Sequence, residues 1–256
     1  MTPGQVAALV ASSTGAGIMN AMAGGGTILT YPTLLFIGES AITANATSTV
    51  ALWPGQAASM YGYREEVLTH RDWLKTLLLP SMLGGALGAV LLLQTPTKTF
   101  EHLAPFLILF ATALFMVQGI VARWTGSSRA EGRSPSRWTA AWLFQFGVGV
   151  YGGYFGAGIG ILMLAVLGFL GLSDIHAANG IKNFFGMCIN ALAAVYFIVR
   201  GAVDWPAALI MVVGAIAGGY AGARFARRIG KDKARAAVVA IGFLVAAILL
   251  IEQSRR

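Results

Sequence analysis

One lysine and three asparagines stand in a stretch that is otherwise apolar. In Asn179-Gly180-Ile181-Lys182-Asn183-Phe184-Phe185-Gly186-Met187-Cys188-Ile189-Asn190, the residues Lys182, Asn183, Gly186 and Asn190 follow Asn179 by three, four, seven and eleven positions. That spacing puts them along one face of a helix. An ammonium at the centre of an apolar segment costs about 3 kcal/mol even on insertion scales, so Lys182 should face a cavity or a partner. No Asp or Glu lies within a neighbouring apolar run, and the nearest, Asp174, precedes the segment. An anionic ligand would supply the missing charge. Two plainer roles fit the same residues: a lysine that snorkels to an interface, and amides that hold helices together by hydrogen bonds.

A second set mirrors the first. Sliding the C-terminal half onto the N-terminal half at an offset of 134 pairs Asn45 with Asn179, Ser48 with Lys182, Thr49 with Asn183 and Gln56 with Asn190. The same offset pairs Gly24 with Gly158, Gly26 with Gly160, Gly84 with Gly218, Gly85 with Gly219 and Gly88 with Gly222. Asp72-Trp73 and Asp204-Trp205 match two residues out of step. These pairings read as an internal duplication that brings two polar faces together. Their amide and hydroxyl donors suit an oxyanion. Glycine turns at Gly24-Gly25-Gly26 and at Gly156, Gly158 and Gly160 would let the backbone and helix N-termini approach it.

The elements that must position these groups follow from composition. Of 256 residues, 57% are hydrophobic and 11% charged, against about 25% charged in a soluble domain; mean hydropathy is +0.71. An ordinary soluble globule, a disordered chain and a disulfide scaffold are all excluded, the last because Cys188 is the single cysteine. An all-α polytopic membrane protein remains. Its apolar runs fall at 5–22, 24–38, 43–62, 73–94 and 102–122, then at 139–155, 157–172, 177–198, 205–223 and 235–251. This divides the chain into transmembrane repeat 1 (1–123), a basic linker (124–137) and transmembrane repeat 2 (138–256).

Charge sets the orientation. With an odd number of crossings per repeat, one side collects Arg64, Arg71, Lys75, the arginines at 123, 129, 133 and 137, Arg224, Arg227, Arg228, Lys231, Lys233 and Arg235; the other keeps only Lys98, Arg200, Arg255 and Arg256. Even crossings leave no clear basic face. An odd repeat is inverted relative to its twin, which makes the linker cytoplasmic and both termini external. Residues 1–38 and 138–173 hold no Asp, Glu, Lys or Arg, and each is split by a glycine cluster. The first two segments of each repeat therefore read as short, Gly-split hairpins or broken helices, with spanning and re-entry both open. Such paired interruptions point to a transport site.

Other chemistry is poorly supplied. His70, His102 and His176 are dispersed near loops and Cys188 is alone, so neither a metal site nor a nucleophilic enzyme is expected. His176 could carry a proton near the proposed site, though a rim position fits it better. Gly84, Gly85 and Gly88 with Gly214, Gly218 and Gly222 form small-residue stripes suited to helix packing. No nucleic-acid partner is implied by the basic charge, which topology explains, and no cofactor is expected.

The stretch Gly24-Gly25-Gly26-Thr27-Ile28-Leu29-Thr30-Tyr31-Pro32, followed by Ala44-Asn45-Ala46-Thr47-Ser48-Thr49-Val50-Ala51-Leu52-Trp53-Pro54-Gly55, resembles the first repeat of the sulfite exporter TauE/SafE family. Gly156-Ala157-Gly158-Ile159-Gly160-Ile161-Leu162-Met163, Ala177 to Asn183 and Val203-Asp204-Trp205 resemble its second. Ile159 stands where the first motif has Gly25, and no proline matches Pro32. The resemblance implies a multi-pass permease of the bacterial inner membrane for sulfite or an organosulfonate such as taurine or sulfoacetate. The expected mechanism is secondary transport by alternating access, with Lys182 supplying charge and the amides and hydroxyls orienting the anion. A channel or an accessory subunit without alternating access is the alternative. The ligand, the coupling ion, the direction of flux and any homo-oligomer are left open by the sequence.

Overall fold

The computed structural model describes residues 1–22, 24–69, 71–127, 135–172, 174–225 and 231–254. Half of the expected linker (128–134), together with His70, Arg227, Arg228, Arg255 and Arg256, lies outside them. Among the described residues the chain is all helical. The elements are α1 (Pro3–Met22), α2 (Thr27–Phe36), α3 (Ala41–Gly62), α4 (Arg64–Thr69), α5 (Arg71–Gln94), α6 (Thr97–Ser127), α7 (Pro135–Tyr154), α8 (Ile159–Phe169), α9 (Ile175–Val199), α10 (Trp205–Phe225) and α11 (Lys231–Ser254). Each of the ten apolar runs coincides with a helix, and the six-residue α4 is the addition.

Local chemistry starts several of these helices. Ser40 caps α3 by accepting from the Thr43 N–H at 3.3 Å, Asp174 caps α9 by accepting from His176 N–H at 2.8 Å, and Asp204 accepts from Ala207 N–H at 3.2 Å at the start of α10. Pro3 and Pro135 open α1 and α7, a position where the missing proline N–H costs nothing. Those starts lengthen both helices to 20 residues, a rise of about 30 Å. Among the first two segments of each half, shortness is thus confined to α2 and α8, at 10 and 11 residues.

The two short helices are the return arms of two hairpins that enter from opposite ends of the bundle. Helix α1 runs parallel to α10, with Gly214 beside Val10 and Ser13, Gly218 beside Thr14 and Gly222 beside Ile18. It therefore begins at the end where α10 begins. Helix α2 returns to that same end, where Phe36 and Gly38 share a cavity with the start of α6 and the end of α11. Helix α7 runs parallel to α5 in the same manner, Gly84 lying on Phe146 and Gly88 on Val150. The rings of Trp73 and Trp138 lie 5.3 Å apart, and the Arg137 guanidinium sits 5.2 Å over Phe169. The start of α5, the start of α7 and the end of α8 thus share the other end.

Packing is reciprocal between the halves: α1 on α10 and α5 on α7, α3 on α10 and α5 on α9, α6 on α8 and α2 on α11, with α3 against α9 between them. The glycine stripes serve as expected, letting backbones touch at the α1–α10 and α5–α7 seams.

The outside of the bundle is apolar and the inside is partly polar. Leu79, Leu83, Leu87 and Leu91 form an exposed stripe along α5, and Phe106 and Phe110 are exposed on α6. Ser13, Thr47, Ser48, Ser59, Ser81, Thr112 and Gln145 are buried instead. This inversion of the soluble pattern is what lipid as solvent demands. Among the described residues, four stretches are long and apolar enough to cross a bilayer: Arg71–Gln94, Thr97–Val117, His176–Val199 and Trp205–Arg224.

Candidate functional site

The hairpin tips meet inside the bundle. Gly24, with φ of +83°, lies so close to the second tip that a Cβ there would stand 2.7 Å from the Gly160 Cα and 2.8 Å from its nitrogen. A Cβ on Gly25, φ of +101°, would meet Gly158 N at 2.9 Å and the Phe115 ring. Only glycine combines that backbone conformation with that approach. Two polar side chains brace the turns. Asn20 Oδ1 accepts from Gly26 N–H at 2.8 Å in the first, and the Tyr151 hydroxyl donates to the Ala157 carbonyl at 2.7 Å in the second. Non-helical backbone at this depth is stable because it is enclosed in protein.

Lys182 points at the first tip. It is 2% exposed, and its ammonium donates to the carbonyls of Asn20 at 3.2 Å and Ala21 at 3.4 Å. These are last-turn carbonyls of α1, left without intrahelical partners and carrying the negative end of the helix dipole. The lysine therefore does not snorkel. It is held inside by a partial charge, and no carboxylate pairs with it among the described residues. An ammonium has three donors, so one remains beyond these two carbonyls. Asn183 donates to Ala21 O at 3.3 Å and to Ser59 Oγ at 2.9 Å, pinning the same helix end from α9.

The first repeat presents its own side chains to the second tip. Asn45, fully buried, donates through Nδ2 to the Tyr154 carbonyl at 2.9 Å. Tyr154 ends α7, and it stands 134 residues after Asn20. Each hairpin is thus gripped at the equivalent carbonyl by a side chain from the opposite repeat. Ser48 meets Thr30 at 2.6 Å between hydroxyls, and Thr49 spends its hydroxyl on the Asn45 carbonyl. Near the centre, Asn190 Nδ2 donates to Gln56 Oε1 at 2.8 Å. These two residues are paired by the offset of 134 and meet where α3 packs against α9. Gly186 leaves room there, since a Cβ on it would stand 3.7 Å or more from the Gln56 amide.

The sequence-derived residues therefore form three groups. Lys182, Asn183, Gly24, Gly25 and Gly26 gather at the first tip; Asn45, Gly156, Gly158 and Gly160 at the second; Gln56 and Asn190 between the helices that carry them. Asn179 makes no hydrogen bond through its buried Oδ1. His176 lies at the start of α9, away from the tips. Asn20, Ser59 and Thr30 were not anticipated. Asn20 carried a signal, as the lone asparagine of the uncharged stretch 1–38, four residues before the glycine cluster that begins at Gly24.

The Gln56–Asn190 bond gives a direct test of this arrangement. Either single change to Leu should cost about 1–3 kcal/mol, because the partner is left buried and unpaired. The double Leu variant should recover about 0.6–1.7 kcal/mol of the sum, the range of coupling for such bonds within membranes. Unfolding midpoints of the four proteins in one detergent measure it; strict additivity would mean that the two amides do not meet.

A cavity of about 650 Å³ opens at the end where α2 finishes, between α2, the start of α6 and the end of α11. It is lined by Lys98, His102, Glu39, Glu101 and Glu252, and by none of the site residues expected from the sequence. Burial, and then the negative charge of Asp204, holds the Glu39 carboxyl above the ordinary carboxylate range. No group of three His, Cys, Asp or Glu side chains close enough to hold a metal occurs among the described residues.

Comparison with known proteins agrees with this architecture. The family model described as "Sulfite exporter TauE/SafE" matches residues 9–249. A "Probable membrane transporter protein" of Haemophilus influenzae is 30% identical over 243 residues, covering 93% of this chain and 91% of the relative. "Probable membrane transporter protein YfcA" of Escherichia coli K12 is 26% identical, with 93% and 86% covered. "Probable membrane transporter protein ORF9" of a Sinorhizobium species is 26% identical, with 93% and 89% covered. No solved structure matches the chain significantly.

Proposed function

The chain belongs to the sulfite exporter TauE/SafE family and is a multi-pass membrane transporter, and we propose that it carries a small sulfur oxyanion, sulfite or an organosulfonate such as taurine or sulfoacetate, by alternating access at the meeting point of its two hairpins. One observation carries the anion: the buried Lys182 ammonium has no carboxylate partner among the described residues and keeps a donor beyond Asn20 O and Ala21 O. An anion drawn to it brings the full negative charge that α1's carbonyls supply only in part. The remaining amide N–H groups of Asn179, Asn190 and Gln56 provide donors around it, whereas Asn183 and Thr49 spend theirs on Ala21 O, Ser59 Oγ and Asn45 O. Gly24 to Gly26 and Gly156 to Gly160 let the backbone approach.

The reciprocal packing of the halves and the opposed hairpins support two inverted repeats, 1–123 and 138–256, joined by a cytoplasmic linker in a bacterial inner membrane. Rocking of one repeat against the other would expose the tips to each side in turn. Export needs no nucleotide, since a monovalent anion leaving a negative interior gains about 2.3 kcal/mol per 100 mV. Proteoliposomes loaded with unlabelled sulfite or taurine test the reading. The expected result is saturable counterflow of the labelled anion against the loaded one, absent from empty vesicles. Flux without counterflow would assign the protein as a channel instead.

A further inference from the structure

We propose that the first repeat holds a sodium ion beside Asn45 at the end of α7, in the place where the second repeat uses the tethered ammonium of Lys182. The proposal deepens the transporter reading by naming a cation held beside its anion site, and rests on that reading.

The starting point is a pair of orphaned atoms. Among the described residues, Asn45 Oδ1 and Asn179 Oδ1 are buried side-chain oxygens with no hydrogen-bond partner, and they are repeat partners at the offset of 134. A buried acceptor left unpaired is costly, and a native structure that keeps one signals an ion or other ligand at the spot. The Asn45 amide cannot be turned to remove the problem. Its Nδ2 donates to the Tyr154 carbonyl at 2.9 Å, and the reverse orientation would set oxygen against oxygen.

The second repeat shows what the site takes. Asn20 and Tyr154, 134 residues apart, end the descending arms of the two hairpins, and both offer a last-turn carbonyl with the negative end of a helix dipole behind it. At Asn20 a cation answers that charge, the Lys182 ammonium. At Tyr154 the residue equivalent to Lys182 is Ser48, fully buried and hydrogen-bonded to Thr30. The first repeat thus keeps the carbonyl, the dipole and the orphaned amide oxygen but lacks the fixed positive charge. Asn45 Oδ1 and the second lone pair of the Tyr154 carbonyl are neutral, hard oxygen donors, which suit a monovalent alkali cation. Exposed helix ends with unwound carbonyls are where transporters commonly seat such an ion. A cation there would face the anion site across the touching tips, so each charge would favour binding of the other.

The test uses the full-length protein. Its unfolding midpoint in nanodiscs should rise saturably with NaCl relative to choline chloride at equal ionic strength, by roughly 3–6 °C at ten times the dissociation constant. Sulfite counterflow in proteoliposomes should be several-fold faster in sodium. Ser48→Lys, which ties an ammonium into the site, should remove the sodium dependence of stability. Asn45→Leu, of similar volume, should remove it without adding charge, and serves where the lysine variant fails to fold. Measurable counterflow with sodium and choline indistinguishable in both assays would overturn the sodium site, leaving an ordered water at Asn45, while the transporter reading stood. Saturable sodium stabilisation lost in Asn45→Leu, with no sulfur anion transported, would support the site and overturn the substrate instead.

Discussion

Replacing Lys182 with glutamine should leave a folded protein that has lost sulfur-anion counterflow by about 100-fold or more. The side chain has two roles that this substitution separates. Its N–H groups hold the last turn of α1 through Asn20 O and Ala21 O, and its charge attracts the ligand. A glutamine amide, one bond shorter than the lysine, keeps a donor aimed at the same carbonyls and removes only the charge. Truncating one partner of a buried, hydrogen-bonded charge pair costs about 2–5 kcal/mol, so the loss should appear in transport. The unfolding midpoint should stay close to wild type, since Asn183 still pins Ala21 O from the same helix. Lys182→Met removes charge and donor together, and should add a loss of stability to the same loss of transport. Counterflow and thermal unfolding of both variants measure the two roles side by side. A glutamine variant that exchanges sulfite at the wild-type rate would make Lys182 a structural clamp on α1 and return the anion to other donors.

Much of the scaffold could be read from the sequence because lipid solvation imposes long apolar runs, and the glycine and asparagine pairings disclosed the duplication. The arginines and lysines point to an odd number of crossings per half, while the turning back of α2 beside α11 has no such mark in the sequence. Spanning and returning segments carry the same apolar composition. What separates them is the neighbour: α1 lies along α10 in parallel and α2 turns back beside α6 and α11, and hydropathy does not encode that. The candidate site was legible as a set of residues and not as a set of contacts. Lys182 was recognised as a charge in need of a partner, yet its partners proved to be backbone carbonyls, which every residue possesses and no side-chain pattern marks. Gln56 and Asn190 fell at matching positions of the two repeats, and their bond follows once α3 and α9 pack against each other. Asn45 and Ser48 were assigned to an anion for their type. The orphaned acceptor on Asn45 redirects that residue toward a cation, a distinction between the two ends of one amide that only three-dimensional placement makes.

Gly24→Ala should destabilise the protein well beyond Gly38→Ala, and the difference isolates the contact between the tips. Both glycines hold φ in the left-handed region, +83° and +104°, so both variants pay a conformational penalty of about 1 kcal/mol. Their surroundings differ. A Cβ on Gly38 would meet nothing within 4 Å, whereas one on Gly24 would press on the backbone of Gly160 at 2.7 and 2.8 Å. Backbone cannot rotate away as a side-chain end can, so one tip must move against the other, at about 1–3 kcal/mol more. Gly38→Ala should therefore keep counterflow near wild type, and Gly24→Ala should lose it along with roughly 2–4 kcal/mol of stability. Unfolding midpoints and counterflow of the two variants provide the check. Equal costs would mean that the tips stand apart in the working protein, and a site built on their contact would then have to be abandoned, because Lys182 and Asn45 would each serve a separate hairpin rather than two sides of one passage.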